Sequence, residues 1–388
     1  MAPSTLDPKT LSAFENAAAG HDGVLSDPTG ALVIKPCTAA EIAFYESANT
    51  SHKALARYMP TYMGTLKLND DPETAAAAIT ADASAAAAAA AATPDPSGAS
   101  TPAVPAIPEA GAPAAASVGT AASLALDDVG PMKGKKLATE LSIVLENVAA
   151  GFRKPNILDL KLGARLWDDA STPAKRARLD KVAAETTSSS LGFRIAGMRV
   201  WQGEGAEGKG DEYAVFDAES KYKTYNKLYG RVFSAESVVD GFKEFFLVPG
   251  AGNTAKLVRP VIARLLRDVK GIQAVLEAEE SKMYSASLLF VYEGDAAAAK
   301  DAEEAISKAE VEALETATAS GANALNEEDD DEVELSDEEE KPKVATVKLI
   351  DFAHASWKPG EGPDENALQG IRSTVKILED LEAELAKA

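Results

Sequence analysis

The chain has 388 residues, and 61 acidic against 39 basic side chains give a formal charge of −22. That balance argues against direct nucleic-acid binding, which relies on clustered Lys and Arg. The length suits about two domains or one two-lobed domain. No apolar stretch approaches the roughly 18 residues of a membrane helix, and the first residues lack the basic and apolar regions of a secretory signal. The lone Cys37 fits a reducing compartment, here expected to be nucleus and cytoplasm.

In chain order, the first signal is a hairpin. The mainly apolar stretches Val24-Leu25-Ser26 and Ala31-Leu32-Val33-Ile34-Lys35 flank Asp27-Pro28-Thr29-Gly30, a composition with Pro and Gly where a turn wants them. Lys35 stands at the end of the second arm. A helix is predicted over 38–45, with Thr38 as N-cap and Glu41 three residues on as a capping box. Residues 72–126 hold 25 Ala and no Lys, Arg or aromatic residue. Such a stretch cannot bury enough apolar surface to offset its ordering entropy and is predicted to be disordered. A strand follows over 135–146, running into Glu146-Asn147-Val148-Ala149-Ala150-Gly151. A hairpin bearing Lys, a helix bearing Glu and a strand leading to a short crossover is the order of a kinase-like N-lobe and hinge.

The chemistry concentrates further on. In Ile157-Leu158-Asp159-Leu160-Lys161-Leu162 apolar residues alternate with charge. An extended segment then puts Asp159 and Lys161 on one face and the three Leu on the other. Charges in such a setting need a reason, because desolvation is costly. Phosphoryl transfer supplies one, since Lys can neutralise the moving group and Asp can orient a hydroxyl or take its proton. Lys175, Arg178 and Lys181 recur at spacing three on a predicted helix, either a loose cationic cup for several phosphates or a solvated face. A strand is predicted over 285–292. Residues 295–343 carry 18 acids and four Lys: an Ala/Glu-rich solvated helix over 295–322, then 11 acids in the 14 residues 327–340, predicted to be disordered by self-repulsion. The two low-complexity segments together hold −18 of the −22, so the remaining 284 residues are close to neutral. Last comes Val347-Lys348-Leu349-Ile350-Asp351-Phe352-Ala353-His354, a strand ending in Asp-Phe-small, like the metal-binding Asp-Phe-Gly of protein kinases.

The nine-residue pattern Pro155-x-x-x-Asp159-x-Lys161-x-Gly163, followed by Ser287-Leu288-Leu289-Phe290 and Ile350-Asp351-Phe352-Ala353-His354, resembles the inositol polyphosphate kinase family. Further matches are Ala19-Gly20-His21, Glu41-x-x-Phe44-Tyr45, Leu191-Gly192-Phe193-Arg194 and Tyr229-Gly230-Arg231. Within the family the chain is most similar to the fungal multikinases, on the short span from Trp167 to Leu191, the basic 175–181 run and the acidic segment. The resemblance implies an α+β, two-lobed kinase-like (ATP-grasp or protein-kinase-like) fold with two disordered insertions. Its N-lobe would comprise 1–71 and 131–150, its C-lobe 151–294 and 344–388, and its insertions 72–130 and 295–343. It implies ATP- and Mg²⁺-dependent phosphorylation of inositol trisphosphate to tetrakis- and pentakisphosphate. An inositol hexakisphosphate kinase, or a transcriptional scaffold binding regulators through 327–340, is the alternative.

The resemblance also implies roles. Lys35 would hold ATP phosphates with Glu41 as its ion-pair partner, and Glu146 and Val148 would give hinge bonds to adenine. Asp159 would bind ribose hydroxyls or orient the site, and Lys161 would contact acceptor phosphate and transferred phosphoryl. Asp351 would hold Mg²⁺ with Ser287 in support. Lys175, Arg178, Lys181 and His354 would meet the acceptor. Ala286 stands where the family often has Ser, so no hydroxyl acts there. His21 and His52 are expected to supply only surface or loop polarity, and Trp167, Trp201 and Trp357 to pack. A monomer without a membrane span is expected.

Overall fold

The computed structural model describes residues 10–14, 16, 18, 23–67, 139, 141–319 and 343–387. The predicted disorder at 72–126 and 327–340, and His21, lie outside them. The described residues form one compact unit.

The N-terminal part is a five-stranded antiparallel sheet with one helical layer. Its strands are β1 (Ser12–Ala13), β2 (Leu25–Ser26), β3 (Leu32–Pro36), β4 (Tyr62–Lys67) and β5 (Leu141–Glu146), in the order β1-β2-β3-β5-β4. The hairpin forms as the turn composition predicts: Leu25 pairs with Ile34, and the Gly30 amide donates to the Asp27 carbonyl at 3.0 Å. Gly30 has φ +73°, where a side chain would be strained. The Asp27 carboxylate ties the turn by accepting from the Leu32 amide at 2.8 Å. The helix predicted over 38–45 is longer than expected: α1 spans Ala39–Ser51, with a short α2 (Lys53–Ala56) beyond it. Of the strand predicted over 135–146, the described part pairs as β5 from Leu141. β4 is not predicted from sequence, because Gly64 breaks its pattern of apolar and polar residues.

The second part is built on a six-stranded antiparallel sheet. Its strands β6 (Pro155–Leu162), β7 (Phe193–Trp201), β8 (Ala214–Phe216) and β9 (Tyr222–Tyr225) are joined, after β10 (Ser281–Met283), by β11 (Ser287–Glu293) and β12 (Ala345–Ile350), in the order β12-β11-β6-β7-β9-β8. β10 pairs with β13 (Ala355–Trp357). Leu158, Leu160 and Leu162 are fully buried, as the alternation requires. The helices are α3 (Pro173–Ala184), α4 (Thr187–Leu191), α5 (Val238–Phe246), α6 (Ala255–Ala278), α7 (Ala296–Ala319) and α8 (Glu365–Leu385). The long helices α6 and α8 bury Leu265, Leu276, Leu368 and Leu378, among others, in the main core. Among the described residues no helix is long and apolar enough to cross a membrane.

Part of the acidic segment 295–343 is folded. α7 begins it, and this helix is docked rather than simply solvated: Ala299 is buried, Ile306 packs on the core, and Glu303 meets Arg264 at 3.2 Å. His52 also differs from expectation. It stacks on Trp357 at 3.5 Å and bonds Glu279 through Nδ1 at 2.7 Å. Trp357 in turn stacks on Phe44, which stacks on Phe352 at 5.0 Å. This aromatic column joins α1 to the strand end that carries Asp351.

Candidate active site

A cleft lies between the two sheets, walled by Val24, Val33 and Leu145 on one side and Ile157, Leu289 and Ile350 on the other. It encloses about 860 Å³, its open mouth included. Lys35, Asp159 and Asp351 converge at its inner end, and Glu146 lines it at the crossover. An apolar slot with a few converging polar groups is the usual form of a small-molecule site.

The strand ends place these groups. Lys35 leaves β3 one residue before Pro36 and its Nζ lies 2.8 Å from Glu41 Oε1 and 2.7 Å from Asp351 Oδ1. The capping box is therefore half made: Thr38 Oγ1 accepts from the Glu41 amide at 3.2 Å, while the Glu41 carboxylate turns to Lys35. Burial opposes the charge on Lys35, but Asp351 and Glu41 outweigh it and hold the ammonium above the ordinary lysine range. Asp351 has φ +68° and Ser285 φ +62°, backbone conformations that residues with a Cβ adopt only when their surroundings hold them. The Lys161 ammonium lies 3.6 Å from Asp351 Oδ2 and donates to the Ser285 carbonyl at 2.9 Å, so both strained residues touch Lys161, and Asp351 touches Lys35 as well.

Asp159 and Lys161 share a face, as predicted, but Lys161 makes its ion pair with Asp351. Asp159 is 5% exposed and its Oδ1 has no hydrogen-bond partner. Burial pushes its carboxyl above the usual range, against the pull of Lys161. Ser287 lies opposite Lys161 on β11 and opposite Ile350 on β12. Its hydroxyl is buried and close enough to Asp159 to favour that carboxylate's charge. Ala286 is buried and serves through its carbonyl, which accepts from the Leu162 amide.

At the crossover, the Glu146 side chain accepts from the Thr61 amide and hydroxyl. Val148 is buried and lines the cleft. The chain reading passed over Asn147, whose amide group donates to the Gly30 carbonyl at 2.7 Å and whose Oδ1 accepts from the Ala149 amide at 3.0 Å. It fastens the hairpin turn to the crossover. Across the cleft, His354 Nδ1 lies 2.6 Å from Asp168 Oδ2 and its Nε2 lies 3.4 Å from Lys175 Nζ. The ring thus bridges Asp168 and Lys175. Burial opposes the Asp168 charge, but hydrogen bonds from Ser171 and His354 hold its carboxyl below the usual range. Arg178 and Lys181 stand exposed further along α3, Lys181 3.7 Å from Glu185. Of the expected cup, the structure brings only Lys175 against His354. Trp167, expected only to pack, is also met by the Arg165 and Arg176 guanidinium groups, 4.0 and 4.6 Å from its ring centroid.

A buried Lys–Glu pair over an apolar slot, facing a strand-end Asp-Phe and a Lys on the opposite sheet, defines a two-lobed, kinase-like phosphotransferase. A sequence profile of the inositol polyphosphate kinases matches residues 142–379. The chain is 31% identical to the inositol polyphosphate multikinase of Saccharomyces cerevisiae over 380 residues, covering 94% of this chain and 97% of that one. It is 30% identical to human inositol hexakisphosphate kinase 1 over 255 residues, covering 62% of this chain and about half (53%) of that relative. Among solved structures, the inositol phosphate multikinase Ipk2 of S. cerevisiae, in complex with ADP and Mn²⁺, superposes with a TM-score of 0.55 at 26% identity, covering 90% of this chain and 99% of that one. The chain belongs to the inositol polyphosphate kinase family, and it is a kinase of inositol polyphosphates.

Proposed function

We propose that this kinase is a multikinase that uses ATP and Mg²⁺ to convert inositol trisphosphate to tetrakis- and pentakisphosphate. The observation that carries the reading is the Lys35–Glu41–Asp351–Lys161 network at the inner end of an apolar cleft. The near end-to-end match to the yeast multikinase, against the partial match to the hexakisphosphate kinase, favours this over pyrophosphate synthesis.

The apolar walls take the adenine, with backbone bonds from Glu146 and Val148. Lys35, oriented by Glu41, holds the ATP phosphates. The acceptor hydroxyl oxygen bonds to the γ-phosphorus as the bond to the bridging oxygen of ADP breaks. Lys161 neutralises charge on the moving phosphoryl, and Lys175 and His354 hold the acceptor from the far side. Asp159 accepts a hydroxyl through its unpartnered Oδ1; its raised proton affinity suits it to draw a proton. Positioning and charge neutralisation supply most of the rate in such transfers.

The residues fit a divalent metal. Mg²⁺ is commonly held by one or two carboxylates plus phosphates, and Asp351 is near enough to Asp159 to act on its charge, while Asp159 Oδ1 and the Ser287 hydroxyl are buried without a hydrogen-bond partner. Among the described residues no three metal-binding side chains gather, in keeping with a metal that takes its other ligands from ATP and water. Bound there, it would supply charge neutralisation at the phosphates. Titration of Asp351→Asn with ATP, with and without Mg²⁺, is expected to show loss of the Mg²⁺-dependent gain in affinity. An unchanged gain would remove Asp351 from the metal site.

A further inference from the structure

Arg194 has no part in the site described above. It lies on β7 directly opposite Lys161, so two cations stand side by side on one face of the sheet. Like charges in that position are destabilising unless an anion joins them. The Arg194 Nη1 donates to the buried Ser188 Oγ on α4 at 3.1 Å. Among the described residues, no carboxylate lies within 4.0 Å of its guanidinium; the charge it feels from a short distance is that of Asp159. Burial pushes its pKa down to about 10, and the neighbouring Arg231 pushes the same way. Arg231 is exposed and reaches this spot because the 3-10 turn Tyr229–Arg231 packs tightly on β7. A Cβ on Gly230 would overlap the Ile195 carbonyl oxygen.

Three cations thus gather beyond Asp159, on the α4 side, and outside the apolar slot. Among the described residues this guanidinium gives one hydrogen bond, to Ser188, and its planar fork of five donors matches the geometry of a phosphate group. We propose that Arg194 and Arg231, beside Lys161, bind a phosphate of the acceptor other than the one being formed, and so set a requirement for polyphosphorylated acceptors. The proposal rests on the kinase reading above.

The test is steady-state kinetics of the full chain with ATP and inositol trisphosphate varied in turn, for wild type, Arg194→Gln, Arg194→Lys and Arg231→Ala. The KM for inositol trisphosphate is expected to rise about tenfold or more in Arg194→Gln and severalfold in Arg231→Ala, with partial rescue in Arg194→Lys. The KM for ATP should hold. Unchanged acceptor KM in both variants, or an equal rise in the KM for ATP, would overturn the proposal. Should Arg194→Gln fail to fold, the exposed Arg231→Ala decides alone. A wild type inactive on inositol phosphates would instead sink the kinase reading; an active wild type with unaffected variants sinks only this site.

Discussion

Asp159 keeps a carboxylate at 5% exposure with one oxygen unpartnered, a cost to the fold that only bound ligands can relieve. Because burial raises its pKa in the folded state, the folded chain binds this proton more tightly than the unfolded chain. Stability therefore falls as pH rises from the unfolded value of 3.8 through the raised folded value. Asp159→Asn removes that charge. It should raise the melting temperature of the ligand-free protein at neutral pH by about 2 °C or more, with the gain shrinking towards pH 4, while turnover is lost. Thermal melts at a series of pH values check this; an Asn variant less stable than wild type at pH 7 would contradict it. This residue and Lys161 were legible from sequence, because charge in alternation with buried Leu marks a strand face. The partner of Lys161 was not. Asp351 lies far along the chain, and only the folded sheets show that Lys161 turns to it. Arg194 takes no role from sequence, since a single Arg between Phe193 and Ile195 looks like any outward strand residue.

At the scale of elements, close backbone approach holds the cleft together. Gly197 sits opposite Asp159 on β7, and a Cβ there would overlap the Ala18 carbonyl oxygen. Nearby, Arg199 donates to Asn16 at 3.1 Å, so Asn16 and Ala18, both lining the cleft, lie across β7. Gly197→Ala should push this segment away. The expected result is a severalfold rise in the KM for ATP and a loss of about 1–3 kcal/mol in stability, read by kinetics and urea unfolding. An unaltered KM for ATP would mean that the segment does not shape the nucleotide slot. The hairpin, α1 and β6 were readable from turn residues, a cap and strict alternation. β4 and the docking of α7 were not. Gly64 interrupts the pattern of the first, and the composition of the second gives a solvated helix unless one knows that Arg264 waits for Glu303.

For the whole molecule, the charge of −22 belongs mostly to segments that enter and leave at neighbouring elements. Lys67 and Leu141 are cross-strand partners on β4 and β5, so everything between them is one long hairpin connection. Such insertions tax the fold little. The acidic run 327–340 likewise lies between α7 and β12. Its deletion should leave kcat/KM within about twofold, while any binding of basic transcription regulators, which we propose for this run, should go. A deletion that abolished turnover would place the run in the catalytic unit. The near-neutral remainder gathers its cations where phosphates would sit: Lys35 above, Lys161 and Arg194 below, Lys175 at the side.

The most direct test is an acceptor panel. The purified chain is incubated with ATP, Mg²⁺ and inositol tris-, tetrakis- or hexakisphosphate, and the products are resolved by anion-exchange chromatography. Successive appearance of tetrakis- and pentakisphosphate from trisphosphate is the predicted result. Turnover of hexakisphosphate to pyrophosphates with trisphosphate left intact would contradict it.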